Sequence, residues 1–155
     1  MQNKNISIIT WQDRYAEAFK TLNLEWLTKY VKVEPRDVET MEHPYEVILN
    51  RGGMIWFALC EGKAVGTVSL IPEAEDEWEL AKMSVTEDFK GKGIGHLLMD
   101  AALDFAKAKA LPKIIIFTNS VLTSAVHLYH SYGFKEVPVT GAAYETSDLK
   151  MELIL

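Results

Sequence analysis

The sequence predicts a mixed α/β sheet with antiparallel strands first, a central β-α-β unit later, and helices on both faces. The first observation is a hairpin. Met54 to Cys60 is an unbroken apolar run of strand length, Glu61-Gly62-Lys63 is a turn, and Ala64 to Ile71 is the returning strand. The second is the run from 78 to 120, which reads strand, helix, strand; that unit needs a right-handed crossover and therefore parallel neighbours.

The remaining elements follow in order. Ile6 to Thr10 reads as a short strand. Tyr15, Phe19, Leu22 and Trp26 recur at helical spacing, which predicts an amphipathic helix over about 12–30. A second helical region covers about 35–51, with Pro35 and Pro44 suited to helix starts and Gly52-Gly53 to a stop. The acidic stretch Pro72 to Glu77 reads as a solvated loop. Trp78 to Val85 is a strand and 86–92 a loop. A helix follows over about 94–110, with Leu97, Leu98, Ala101, Ala102, Phe105 and Ala106 facing inward and Pro112 beyond its end. Ile114 to Phe117 is a strand buried on both sides, 122–131 a helix ended by Gly133, Phe134 the start of a return strand, and 149–155 a final strand. Residues 1–155 read as one domain, without repeats or linkers.

Of the 155 residues 48% are apolar and 25% charged, the balance of a globular protein. A formal net charge of -6 argues against nucleic-acid and anionic-membrane partners, both of which need a basic footprint. A single cysteine, Cys60, permits no internal disulfide and reads as a small apolar residue of its strand. The absence of an apolar export segment or spanning run points to a cytoplasmic protein. His127 and His130 have a metal-compatible spacing but no third ligand, so no metal is expected.

The motif richest in chemistry is Lys90-Gly91-Lys92-Gly93-Ile94-Gly95, between a strand and a helix. The first turn of a helix carries N–H groups without intrahelical partners, and the helix dipole makes that end positive. Glycines let backbone amides approach an anion closely, and two lysines add charge, so a pyrophosphate fits. The loop is not a P-loop, because Lys-Ser/Thr does not follow the glycines, and its spacing differs from the dinucleotide fingerprint. A glycine-rich turn without ligand is the plain alternative.

In context these residues resemble the GNAT superfamily of acetyl-CoA-dependent N-acetyltransferases. The family's loop signature, Gln/Arg-x-x-Gly-x-Gly/Ala, matches here except that Lys90 replaces Gln or Arg, which keeps the charge and loses the planar fork. Thr118-Asn119-Ser120, Ala125 to Tyr129 and Tyr132-Gly133-Phe134 resemble the family's later segment, and Trp78 to Val85 its pre-loop strand. The firm resemblance covers 54–135. It implies a GNAT-like mixed sheet and direct transfer of acetyl from acetyl-CoA to an amine acceptor, which is a small molecule, an amino acid or a peptide N-terminus. A homodimer is common in the family.

The resemblance also assigns roles. Glu79, on the strand before the loop, becomes a candidate base acting through water. Strand alternation sets it on one face with Ala81, Met83 and Val85, and apolar neighbours there would raise its pKa. A strand-end glutamate near solvent is the alternative. Tyr129 becomes a candidate proton donor to the departing thiolate, or else a core tyrosine. A cleft between the strands ending near Val85 and Asn119 would take the pantetheine arm, paired to the backbone of Met83 and Val85, with Asn119 as cofactor ligand or turn residue. Asn23, Glu25, Trp26 and the 137–148 loop are expected around the acceptor. A non-catalytic acyl-CoA-binding module would share the loop but need neither Glu79 nor Tyr129.

Overall fold

The computed structural model describes residues 5–74, 76–140 and 144–155. Among them seven strands form one sheet: β1 (Ile6–Thr10), β2 (Met54–Cys60), β3 (Lys63–Pro72), β4 (Trp78–Val85), β5 (Lys113–Thr118), β6 (Lys135–Val137) and β7 (Leu149–Ile154). Their spatial order is β1-β2-β3-β4-β5-β7-β6. All neighbours are antiparallel except β4 and β5, which are parallel as the β-α-β reading requires.

The helices are α1 (Ala16–Tyr30), α2 (Pro35–Glu42), α3 (Pro44–Val47), α4 (Ile94–Ala108) and α5 (Thr123–Ser131). The predicted 12–30 helix begins with a single 3-10 turn, Asp13–Tyr15, and the 35–51 region divides into α2, α3 and a 3-10 turn. Pro44 forces that division, because it cannot donate the hydrogen bond that would continue α2. At α2's start Glu34 and Asp37 form a reciprocal capping box with Pro35 at the first helical position.

Both sheet faces are covered, which explains why β2 is apolar throughout. Trp56 and Ala58 point to one core with Val68, Leu70, Leu98, Ala102 and Ala106, under α4 and α5. Ile55, Phe57 and Leu59 point to the other with Phe19, Ile48 and Ile71. The buried stripe of α4 is Ile94, Leu98, Met99, Ala102, Leu103 and Ala106; Leu97, Ala101 and Phe105, expected inward, are only half-buried. The sheet meets the helix about one position round from where the apolar pattern centres, so Met99 and Leu103 take their place.

Two irregularities shape the centre of the sheet. β4 and β5 pair only at Trp78↔Ile114 and Glu79↔Ile115 and then separate. Between β3 and β4 the register runs Ser69↔Ala81 and then Thr67↔Ser84, so β4 carries one extra residue. Lys82, at φ 54°, takes up that residue in a β-bulge. The bulge overturns the expected alternation. Glu79, Ala81, Lys82 and Ser84 belong to the α1–α2 side, where Ala81 packs on the second core and Ser84 Oγ donates to Leu22 O at 2.7 Å. Met83 and Val85, expected beside Glu79, pack on the α4 core.

Gly53 sits buried where α3 and its 3-10 turn meet β2. A Cβ there would lie 2.4 Å from Leu70 O and 3.0 Å from Ile48 O, both backbone atoms. Gly53→Ala is expected to destabilise the protein by about 2 kcal/mol, read as a lower urea midpoint with an unchanged slope.

Candidate active site

Where β4 and β5 part, a cavity of about 570 Å³ opens between them. Its walls come from α1 (Trp26, Leu27, Tyr30), from β4 beyond Glu79, from the loop before α4, from the start of α5 and from residues 144–147. Beyond Glu79 the β5-facing edge of β4 has no strand partner, so backbone groups of Met83 and Val85 are available to a ligand.

At one end lies the glycine loop. Gly91 and Gly93 adopt φ of 76° and 82°, left-handed values that favour glycine. Gly93 occupies the N-cap of α4, no side chain caps the helix, and its first turn holds no acidic residue. Those amides face an end of the cavity lined by Gly91, Gly93, Ile94, Gly95 and His96. The loop is braced from α1: Glu25 accepts from Thr86 Oγ1 at 2.9 Å and from the Glu87 amide at 3.0 Å. Lys29 and Lys90 both reach the Glu87 carboxylate, at 2.8 and 3.3 Å, and hold its pKa down to about 2. Lys90 thus sits over Tyr30, and Lys92 over the Phe89 ring, both as exposed or half-exposed cations beside the loop.

At the other end is a buried polar cluster. Glu79 is 3% exposed. Burial, together with a hydrogen bond to and the charge of Glu73, pushes its pKa well above the ordinary carboxylate value, against the opposing pull of Lys82 and Arg36. The strand-end, solvent-facing alternative for Glu79 is thereby excluded. Glu73, expected on a solvated tip, is instead clamped by Arg36 Nη2 at 3.2 and 3.0 Å. Lys82 makes an ion pair with Asp37, and both side chains are buried. Tyr144 stands against this group, with Lys82 Nζ 5.0 Å from its ring centroid. Burial, then the charge of Glu79, raises its phenol pKa, so the hydroxyl keeps its proton. Glu34 fixes the 144–147 segment, accepting from the Glu145 amide at 2.7 Å, the Thr146 amide at 3.1 Å and Thr146 Oγ1 at 2.6 Å.

An uncapped helix start and a buried glutamate side chain therefore share one cleft in a split sheet. The family model described as Acetyltransferase (GNAT) family matches residues 15–134. This chain belongs to the GNAT family. "Probable N-acetyltransferase camello" of Xenopus tropicalis is 30% identical over 128 residues, 81% of this chain and 54% of that protein. "N-acetylaspartate synthetase" of the same species is 40% identical over 89 residues, 57% of this chain and 33% of that protein. The chain thus spans only a third to about half of these relatives. A GNAT acetyltransferase structure from Staphylococcus aureus superposes with TM-score 0.86 at 24% identity, covering 95% of this chain and 97% of that one. The PaiA N-acetyltransferase of Thermoplasma acidophilum, solved in complex with coenzyme A, gives 0.75 at 19% identity, covering 97% and 99%. At these identities the structures establish the fold.

Within this GNAT cleft the other expected residues divide. Tyr129 is on the wall, 6% exposed, and burial raises its pKa. Asn119 also lines the cavity, yet both ends of its side chain are engaged: Nδ2 donates to Thr146 O at 2.5 Å, and Oδ1 accepts from the Val121 amide at 2.9 Å. These bonds tie the end of β5 to the 144–147 segment. Trp26 reaches the cavity, but Asn23 does not; it is buried within α1, bonded to Phe19 O at 2.9 Å and Trp26 Nε1 at 3.0 Å. Glu25 braces the loop rather than the acceptor end. Of the 137–148 loop, Tyr144, Thr146 and Ser147 line the cavity, and 141–143 lie outside the described residues. No cluster of three or more metal-ligating side chains occurs among the described residues. Among them, too, no helix is long and apolar enough to cross a membrane.

Sequence reasoning missed Glu34, Arg36, Asp37 and Lys82, and held Tyr144 only as part of the 137–148 loop and Glu73 only as part of an acidic loop. Two signals were present: Glu34-Pro35-Arg36-Asp37 has capping-box form, and Lys82 is the one cation of the strand 78–85. Their convergence needed the bulge and the path of α2. Glu34→Ala removes the acceptor for three donors of the 144–147 segment. It is expected to destabilise the protein by about 2–3 kcal/mol in urea unfolding and to speed amide exchange at Glu145 and Thr146.

Proposed function

We propose that this protein transfers acetyl from acetyl-CoA directly to a primary amine. The observation that carries the reading is the join of an uncapped α4 start to a buried Glu79 across one split between β4 and β5. The pyrophosphate lies against the amides of Gly91, Gly93, Ile94 and Gly95, with Lys90 and Lys92 supplying mobile positive charge. The pantetheine arm runs along the open edge of β4, bonded to the backbone of Met83 and Val85 as an added strand would be. The thioester then lies between Glu79 and Tyr129.

The ammonium form of the acceptor gives a proton to Glu79, directly or through one water. The amine lone pair attacks the acetyl carbonyl carbon, the C–S bond breaks, and the thiolate leaves. A carboxylate whose pKa is raised by burial is a stronger base than an ordinary glutamate. The raised pKa of Tyr129 bears on its part: a phenol made less acidic by burial is a poor full proton donor to a thiolate near pKa 8.5. Tyr129 therefore stabilises the departing sulfur by a hydrogen bond; the attacking nitrogen gives up its second proton as the C–S bond breaks, that proton finally reaches the thiolate, and the one on Glu79 returns to water. A module that merely held CoA would have no use for a proton acceptor buried beside the thioester, which favours transfer over binding alone.

Gly93→Glu sets a carboxylate at the α4 start and is expected to weaken CoA binding at least about tenfold by calorimetry; unaltered affinity would remove the phosphate assignment. Glu79→Gln is expected to lower kcat by about 10²-fold or more, and the wild-type rate should rise with pH through an inflection above the usual carboxylate range. Because the folded pKa of Glu79 is raised, its contribution to stability is full below the unfolded pKa and is lost as pH rises through the folded one. The glutamine mimics the neutral carboxyl, so the variant's unfolding free energy should fall less over that range than the wild type's.

A further inference from the structure

Resting on the transfer reaction proposed above, we infer that the acceptor is a free amino acid whose carboxylate is received between the Tyr144 hydroxyl and the Lys82 ammonium. The Tyr144 hydroxyl oxygen is buried and has no hydrogen-bond partner among the described residues, yet its side chain forms part of the cavity wall. A buried hydroxyl left so destabilises a fold unless something else completes it. Its phenol keeps its proton, since burial and the nearby Glu79 raise its pKa, so what it lacks is an acceptor. Lys82 Nζ, 5.0 Å from the Tyr144 ring, has three hydrogens and uses Asp37 as its partner among the described residues. A carboxylate between the two would satisfy both.

Charge balance narrows the class. Lys82 is matched by Asp37 and Arg36 by Glu73, while Glu79 is held toward its neutral form. This end of the cavity therefore carries at most the single negative charge of Glu79 when it ionises, little to attract a polyamine's several cations. It offers both signs side by side, which suits a dipolar molecule. In an α-amino acid one carbon separates amine from carboxylate, so a proton acceptor and a carboxylate receiver must sit on one short stretch of wall. The β4 bulge provides this: it turns Lys82 onto the face of Glu79, where regular alternation would have sent it toward α4.

The test measures CoA release by the full chain with acetyl-CoA, across the amino acids, their α-amides, spermidine and short peptides. At least one amino acid should exceed its own amide about tenfold or more in kcat/KM. Tyr144→Phe should shrink that acid-to-amide ratio about tenfold, mainly through the KM of the acid, with CoA affinity measured as the control for folding. Should this variant not fold, the wild-type ratio decides alone, and the paired change Lys82→Met with Asp37→Asn tests the ammonium without stranding a buried charge. Amides, peptides or spermidine turned over as well as the acids, or a ratio unmoved by Tyr144→Phe, would overturn the acceptor class and leave transfer standing. No acetylation of any compound, with CoA still bound, would overturn transfer and this inference together.

Discussion

Lys82, held at φ 54° by the mismatch between β3 and β4, is the constraint from which the rest of the site follows. A left-handed backbone at a residue with a Cβ is unfavourable by about 1 kcal/mol, and it persists because the strands on either side of it are fixed by two cores. The extra residue reverses which side chains face α1 and α2. Upstream of it Glu79 and Ala81 face that side; downstream Ser84 does, and Met83 and Val85 turn to α4. The same twist accompanies the departure of β4 from β5 after two paired residues. One irregularity thus accompanies the open cleft and sets the side chains around it.

The two ends of the cleft use charge differently. At the α4 start positive character comes from backbone amides, a fixed array that needs no ion pair, and the nearby lysines are held at the surface by Glu87 and by aromatic faces. At the far end the charges are matched in pairs, Lys82 with Asp37 in full burial and Arg36 with Glu73 half-buried, while burial raises the pKa of Glu79. Glu34 and Asn119 keep the 144–147 segment against that end through four hydrogen bonds to its amides, a hydroxyl and a carbonyl. The same segment presents Tyr144, so wall and acceptor chemistry are built together.

Much of the architecture was legible because apolar spacing and turn residues act locally. The strands over 6–10, 54–60 and 78–85, the hairpin at Glu61-Gly62-Lys63 and the helix opening at Ile94 all stand where their residues indicate. The α4 stripe was displaced because helical spacing fixes a face only to within a fraction of a turn, while sheet twist decides which part of it is covered. Glu73 was misread because an acidic loop looks solvated until the partner that buries it, Arg36, arrives from 37 residues away. Glu79 was found by its place in the strand, but its companions were not, since a one-residue bulge leaves no mark on a hydrophobic pattern.

The sequence by itself determined the mixed sheet, the glycine loop with its helix start, and the family, because each depends on short-range backbone preferences and on contiguous residues. Tertiary structure alone decided which side chains meet at the acceptor end. Glu34, Arg36 and Asp37 from α2 and the residue before it, Glu73 from the β3–β4 loop, Lys82 from the bulge and Tyr144 from the far segment converge there. Their burial sets the protonation of Glu79 and Tyr144, and burial is a property of the packed molecule rather than of any stretch of chain.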